Sequence, residues 1–194
     1  MEKKLPVYKM LISEEDNTEV NYVALVDEPA IDRLWLKFKD EKKFTFKADK
    51  QRGILTGALM VADLPIYRRD EKMGEYYVVF DKDNIEKAAM KFAKNGYSKN
   101  INFMHQENLT VDGAYLFESF LIDSERGIMP PKGFEGLTDG SWVGSVKIDN
   151  KEFWDKFIAT DEVMGFSVEG MFGYELEMTE DEKTLNEIIK NINS

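Results

Sequence analysis

One histidine, His105, and no cysteine occur in this chain of 194 residues. Any reaction that needs an imidazole base must therefore use His105, while thiolate nucleophiles, disulfides and thiolate metal sites have no residues to build them. His105 closes the apolar run Ile101 to Met104 and precedes the polar stretch Gln106-Glu107-Asn108, which sets it at the exit of a strand. The plain alternative is a half-exposed histidine that does no chemistry. The second group is Ser167, in the stretch GFSVEG at 165–170. Alternation along a strand puts Phe166, Val168 and Gly170 on one face and Ser167, Glu169 and Met171 on the other. The apolar face belongs to the core, so the serine points the other way, towards a cleft or solvent. Its spacing is not that of the G-x-S-x-G elbow, because Gly170 comes one residue too late. Ser167 is one of eight serines, and a nucleophilic role would require a base and an oxyanion hole beside it.

A third candidate is Glu118. Strict alternation in AYLFESFLID, 114–123, groups it with Leu116, Phe120 and Ile122. A carboxylate on a buried apolar face needs a cation or a donor to meet it, and the imidazole N–H of His105 across a hairpin is one such donor. A salt bridge to one of the 26 basic side chains, or an exposed edge position, serves equally well at this level.

The elements that must hold these groups are mostly strands. Runs rich in Val, Ile, Phe and Tyr recur at 6–13, 20–27, 34–39, 43–47, 53–62, 75–80, 101–105, 114–123, 142–148 and 165–177. Three helices are expected. One runs after Asp81 or Asp83 to Asn95-Gly96, one groups Phe153, Trp154, Phe157 and Ile158, and a third within 178–194 has the narrow apolar stripe Leu185, Ile188 and Ile189. Segments 37–52 and 124–141 read as long loops, the second rich in glycine and proline and a candidate to cover a cleft. Residues 1–177 are expected to form one domain, with 178–194 either capping it or beginning a tether.

The chain carries 37 acidic against 26 basic residues, a net charge of −11, with the acids dispersed. This disfavours nucleic-acid and anionic-membrane surfaces, which call for clustered cations, and is compatible with a basic partner. No apolar run approaches a membrane span or the core of a signal peptide, so a soluble intracellular protein is expected. There is no P-loop, dinucleotide fingerprint or calcium-hand spacing, so no cofactor and no metal are expected.

The combination of INFMHQEN, the strand GAYLFESFLID, GSWVGSVKIDNKEFWDKF and GFSVEGMF resembles the phage prohead maturation serine proteases, in particular their XkdF-like branch. NYVALVDEPAID and GILTGALMVADLPIYR extend the resemblance back to about residue 20. It implies an α+β, β-rich fold similar to herpesvirus assemblin, a barrel-like sheet ringed by about three helices. It also implies an endopeptidase that cleaves scaffold and capsid-protein segments, and often itself, inside the immature capsid in the cytoplasm of the bacterial host. Scaffold and major capsid protein would be its partners and substrates, and a homo-oligomer is compatible.

By the same resemblance Ser167 matches the nucleophile and His105 the general base. Related proteases carry their acid after the serine, in a strand ending in a motif like Leu25-Val26-Asp27-Glu28-Pro29-Ala30. Here that motif stands near the N-terminus, which suggests a permuted order in which the acid's place falls near Tyr22 and is lost. Glu118 is therefore nominated as the third member, Glu169 is the runner-up because it shares the face of Ser167, and a dyad without an acid stays open. Donors for the oxyanion would be sought in the loop from Gly127 to Gly140. The alternative function is a non-catalytic capsid assembly or scaffold-binding domain of the same fold, working through the acidic surface and the C-terminal helix.

Overall fold

The computed structural model describes residues 5–27 and 45–176. The expected strand at 34–39 and the helix within 178–194 lie outside the described residues, as does much of the loop at 37–52. Within them run β1 (Val7–Leu11), β2 (Glu19–Val26), β3 (Lys47–Asp49), β4 (Ile54–Met60), β5 (Ile66–Asp70), β6 (Gly74–Val79), the helix α1 (Lys82–Lys94), β7 (Ile101–Phe103), β8 (Gln106–Thr110), β9 (Ala114–Leu121) and β10 (Trp142–Ile148). A helical turn follows at Lys151–Phe153 and widens into a π turn over Trp154–Ile158, then come β11 (Gly165–Met171) and β12 (Gly173–Leu176).

The β-rich expectation holds, but among the described residues no sheet closes into a barrel. The described strands make three four-stranded sheets, ordered β12-β1-β6-β5, β3-β4-β10-β9 and β11-β2-β7-β8. Closure would require the edge strands of a sheet to pair, whereas here the chain moves between sheets before a sheet can curl on itself. The clearest case is 165–177, expected as one strand. It divides at Phe172, so that β11 pairs with β2 and β12 pairs with β1 in another sheet. Phe172, at the division, packs edge-on to Phe80 with ring centroids 5.2 Å apart.

What matters for function is how β2, β7 and β11 are brought side by side. β2 pairs antiparallel with β11 and parallel with β7, so β2 is the middle strand of the three. Its entry is held by α1. Asp81 caps that helix by accepting from Asn84 N at 2.9 Å, and the amide oxygen of Asn84 accepts from Ile12 N at 2.7 Å just beyond β1. One turn from the end of the helix, Lys91 Nζ donates to the carbonyls of Ser13, Asp16 and Thr18 at 2.7, 2.9 and 2.7 Å. That single ammonium gathers the loop leading into β2, while Ile85, Ala88 and Phe92 bury the apolar face of α1.

β11 lies against β4 at Gly57. A β-carbon at that position would stand 3.1 Å from the Phe166 ring, so glycine there allows the close approach of the strand that carries Ser167. The loop 124–141 does not lie over this contact. Phe134 and Leu137 bury themselves against Ala58, Val61, Ile122 and Val143. Alternation places Ala58 on the opposite side of β4 from Gly57, so this expected cleft cover, and the candidate source of oxyanion donors with it, sits behind the sheet.

Candidate active site

Ser167 is the third residue of β11 and is buried, 6% exposed. Across the sheet it lies opposite Ala24, which in turn lies opposite Asn102 on β7. Residues in register across paired strands share a face, so Ser167, Ala24 and Asn102 form a row about 10 Å long on the side away from Phe166 and Val168. The methyl of Ala24 is a low floor between two polar groups. Among the described residues the hydroxyl of Ser167 makes no hydrogen bond.

His105 overhangs this face. The expected strand exit is in fact a tight hairpin: Phe103 pairs with Gln106, leaving Met104 and His105 as a two-residue turn. Both have positive φ, 52° and 57°, as the twist of a two-residue hairpin turn demands. Glycine and asparagine usually fill such turns, and a left-handed residue with a β-carbon costs about 1–2 kcal/mol. The turn is pinned by Met104 N donating to Leu25 O at 2.9 Å. The imidazole is thereby presented half-exposed, within reach of the side chain two residues beyond Ser167.

Its partner is Glu169. His105 Nδ1 lies 2.7 Å from Glu169 Oε1, and Asn102 Nδ2 donates to the same oxygen at 2.8 Å. A carboxylate can only accept, so Nδ1 carries the proton and Nε2 keeps its lone pair. Nε2 is thus the atom left to take a proton from a hydroxyl. Glu169 is two residues from Ser167 on the same face of β11, and its pairing partner on β2 is Tyr22. That is the position where the motif comparison put the vanished acid.

Glu118 is corrected by the same geometry. It is exposed on β9, and its cross-strand partner is Ser145. The register of β9 slips between the pairs Ser145 with Glu118 and Val146 with Leu116, so Phe117 is an extra residue, a β-bulge. One extra residue reverses the alternation. Leu116 faces the core, whereas Glu118 falls on the outer side with Ser145 and Thr56, away from β11. The carboxylate in contact with the imidazole is Glu169, not Glu118.

The second glycine of GFSVEG now has a reason. Another register slip separates Glu169 opposite Tyr22 from Gly170 opposite Val20, and a β-carbon on Gly170 would stand 1.9 Å from Glu19 O. Only glycine permits the bulge that ends the run just after Glu169. Gly170→Ala is expected to cost about 3 kcal/mol through overpacking against rigid backbone, read as a lower urea midpoint. An unchanged midpoint would show that β2 can retreat from the contact.

Asn102 was missed by sequence reasoning, although a signal was present: it is the one polar residue within the run Ile101 to Met104. It is fully buried, and its Oδ1 has no hydrogen-bond partner among the described residues. Such an orphan acceptor costs about 1–3 kcal/mol. An apolar cavity of about 180 Å³, lined by Leu59, Val78, Phe80, Val168 and Phe172 among others, also borders Ser167. Val168 lies on the opposite face of β11 from the hydroxyl, so the polar row and not this cavity carries the reactive groups. Among the described residues no group of three or more His, Asp or Glu side chains could hold a metal ion, and no helix is long and apolar enough to cross a membrane.

A serine, an imidazole with a free Nε2 and a carboxylate on its Nδ1, gathered on one face, are the parts of an acyl-transfer site. A family model described as "Putative phage serine protease XkdF" matches residues 41–175. The chain belongs to this family. The match spans β3 to β12 and so takes in His105, Ser167 and Glu169, as well as Asn102 and Gly170, while β1 and β2 lie before it. No curated protein and no solved structure matches the chain.

Proposed function

We propose that this chain is a prohead maturation endopeptidase working by serine acyl transfer, with Ser167 as nucleophile, His105 as base and Glu169 as the acid that orients it. The observation that carries the reading is the Nδ1 contact of His105 with Glu169, because it leaves Nε2 free on the face that holds Ser167. Ser167 Oγ forms a bond to the scissile carbonyl carbon as its proton passes to Nε2, giving an oxyanion. Collapse breaks the C–N bond, and the same proton leaves on the amine. Water then repeats the sequence on the acyl-enzyme and releases the acid and the free serine. Nε2 and Oγ are not hydrogen-bonded to each other. Contacts of this kind tighten when substrate binds.

Segments of scaffold and major capsid protein are the proposed substrates, cut inside the immature capsid. The net charge of −11 suits a basic substrate segment. Co-expression with the neighbouring scaffold and capsid proteins, followed by intact-mass spectrometry, tests this. Defined truncation products are expected; partners that assemble and remain full-length would overturn it.

A further inference from the structure

The geometry points to Asn102 as a positioning residue that holds the Glu169 carboxylate and, through it, fixes which nitrogen of His105 carries the proton. This rests on the serine protease reading of the same site, but its decisive measurement does not.

Glu169 Oε1 accepts from two donors, Asn102 Nδ2 at 2.8 Å and His105 Nδ1 at 2.7 Å. His105 is half-exposed on a two-residue turn, and a single hydrogen bond to it would leave the carboxylate free to turn about its own side chain. Asn102 removes that freedom. It is fully buried on a paired strand, whereas Glu169 keeps partial access to solvent, so the amide is the fixed point of the trio. Its reach runs diagonally from β7 across β2 to β11, which the short side chain of Ala24 permits.

The residue type is informative. A lysine or arginine here would pair with Glu169 and compete with the imidazole for the carboxylate's charge, and a serine would not span β2. An amide supplies one donor without charge. The amide oxygen, meanwhile, is buried with no donor to meet it among the described residues. A residue kept only for stability would not leave half its polar capacity unmet. The group is held in place by what its nitrogen does.

Because His105 is the only histidine, one set of imidazole nitrogen resonances reports the tautomer with no assignment problem. In the wild type the proton is expected on Nδ1. Asn102→Ala removes the donor, and Asn102→Leu keeps the bulk while removing both donor and acceptor, which guards against a variant that merely fails to fold. In both, the Nδ1 tautomer should give way to a mixture. The rate constant for acylation of Ser167 by an alkyl fluorophosphonate should fall on the order of ten- to a hundred-fold, the usual size of losing an outer partner that orients a functional ligand, with little change in the concentration for half-saturation. Retention of the Nδ1 tautomer in both variants, with unchanged acylation, would overturn the inference. A wild type that the fluorophosphonate never labels would instead defeat the nucleophile reading, and the nitrogen spectra would still decide the role of Asn102.

Discussion

Ser167→Ala should lower substrate cleavage by about 10⁶-fold, the effect of removing the nucleophile from a working triad, and leave the fold as stable as before. The second half of the expectation comes from comparing the buried serines. Ser141 Oγ accepts from Ala62 N at 3.1 Å, and Ser145 Oγ shares a hydrogen bond with Thr56 Oγ1 at 2.9 Å. Both hydroxyls hold strands together, so their loss costs about 1 kcal/mol each. Among the described residues the hydroxyl of Ser167 makes no such bond, and deleting it strands no partner there. Ser145→Ala is therefore the matched control, with a lowered melting temperature and normal cleavage against an unchanged melting temperature and none. Cleavage that persists in Ser167→Ala at the wild-type rate would move the nucleophile elsewhere.

That contrast also shows what a sequence can disclose about such a site. The place of His105 beside a strand end and the face on which Ser167 stands were legible because scarcity and alternation are local properties. A single imidazole, and a serine opposite Phe166 and Val168, need no knowledge of the fold. The preference for Glu118 over the runner-up Glu169 was misplaced, since alternation is trustworthy only while register is unbroken. In β9 the extra residue Phe117 turned Glu118 outward, and nothing in AYLFESFLID marks the slip. Glu169 earned its place through pairing with Tyr22, nearly 150 positions away in the chain. The missing barrel has the same origin. Each strand run was visible, but the transfer of 165–177 from one sheet to another at Phe172 depends on which partner each half finds. β5 and β8 escaped because IYRRD and QENLT lie at sheet edges, where charged and polar residues are tolerated and the apolar pattern fades.

The two carboxylates can be set against each other directly. Glu169→Gln should reduce cleavage by about 10⁴-fold, as loss of the orienting carboxylate does in serine proteases, whereas Glu118→Gln should change it by less than about twofold, in keeping with an exposed surface position. The large effect comes from the tautomer. An amide at 169 can offer its own N–H to Nδ1, and the imidazole proton then moves to Nε2, which can no longer accept from Ser167. A dyad that needs no acid predicts no such loss. Full activity in Glu169→Gln with loss in Glu118→Gln would require β9 to shed its bulge and turn Glu118 inward, against the register that Ser145 and Val146 impose on it.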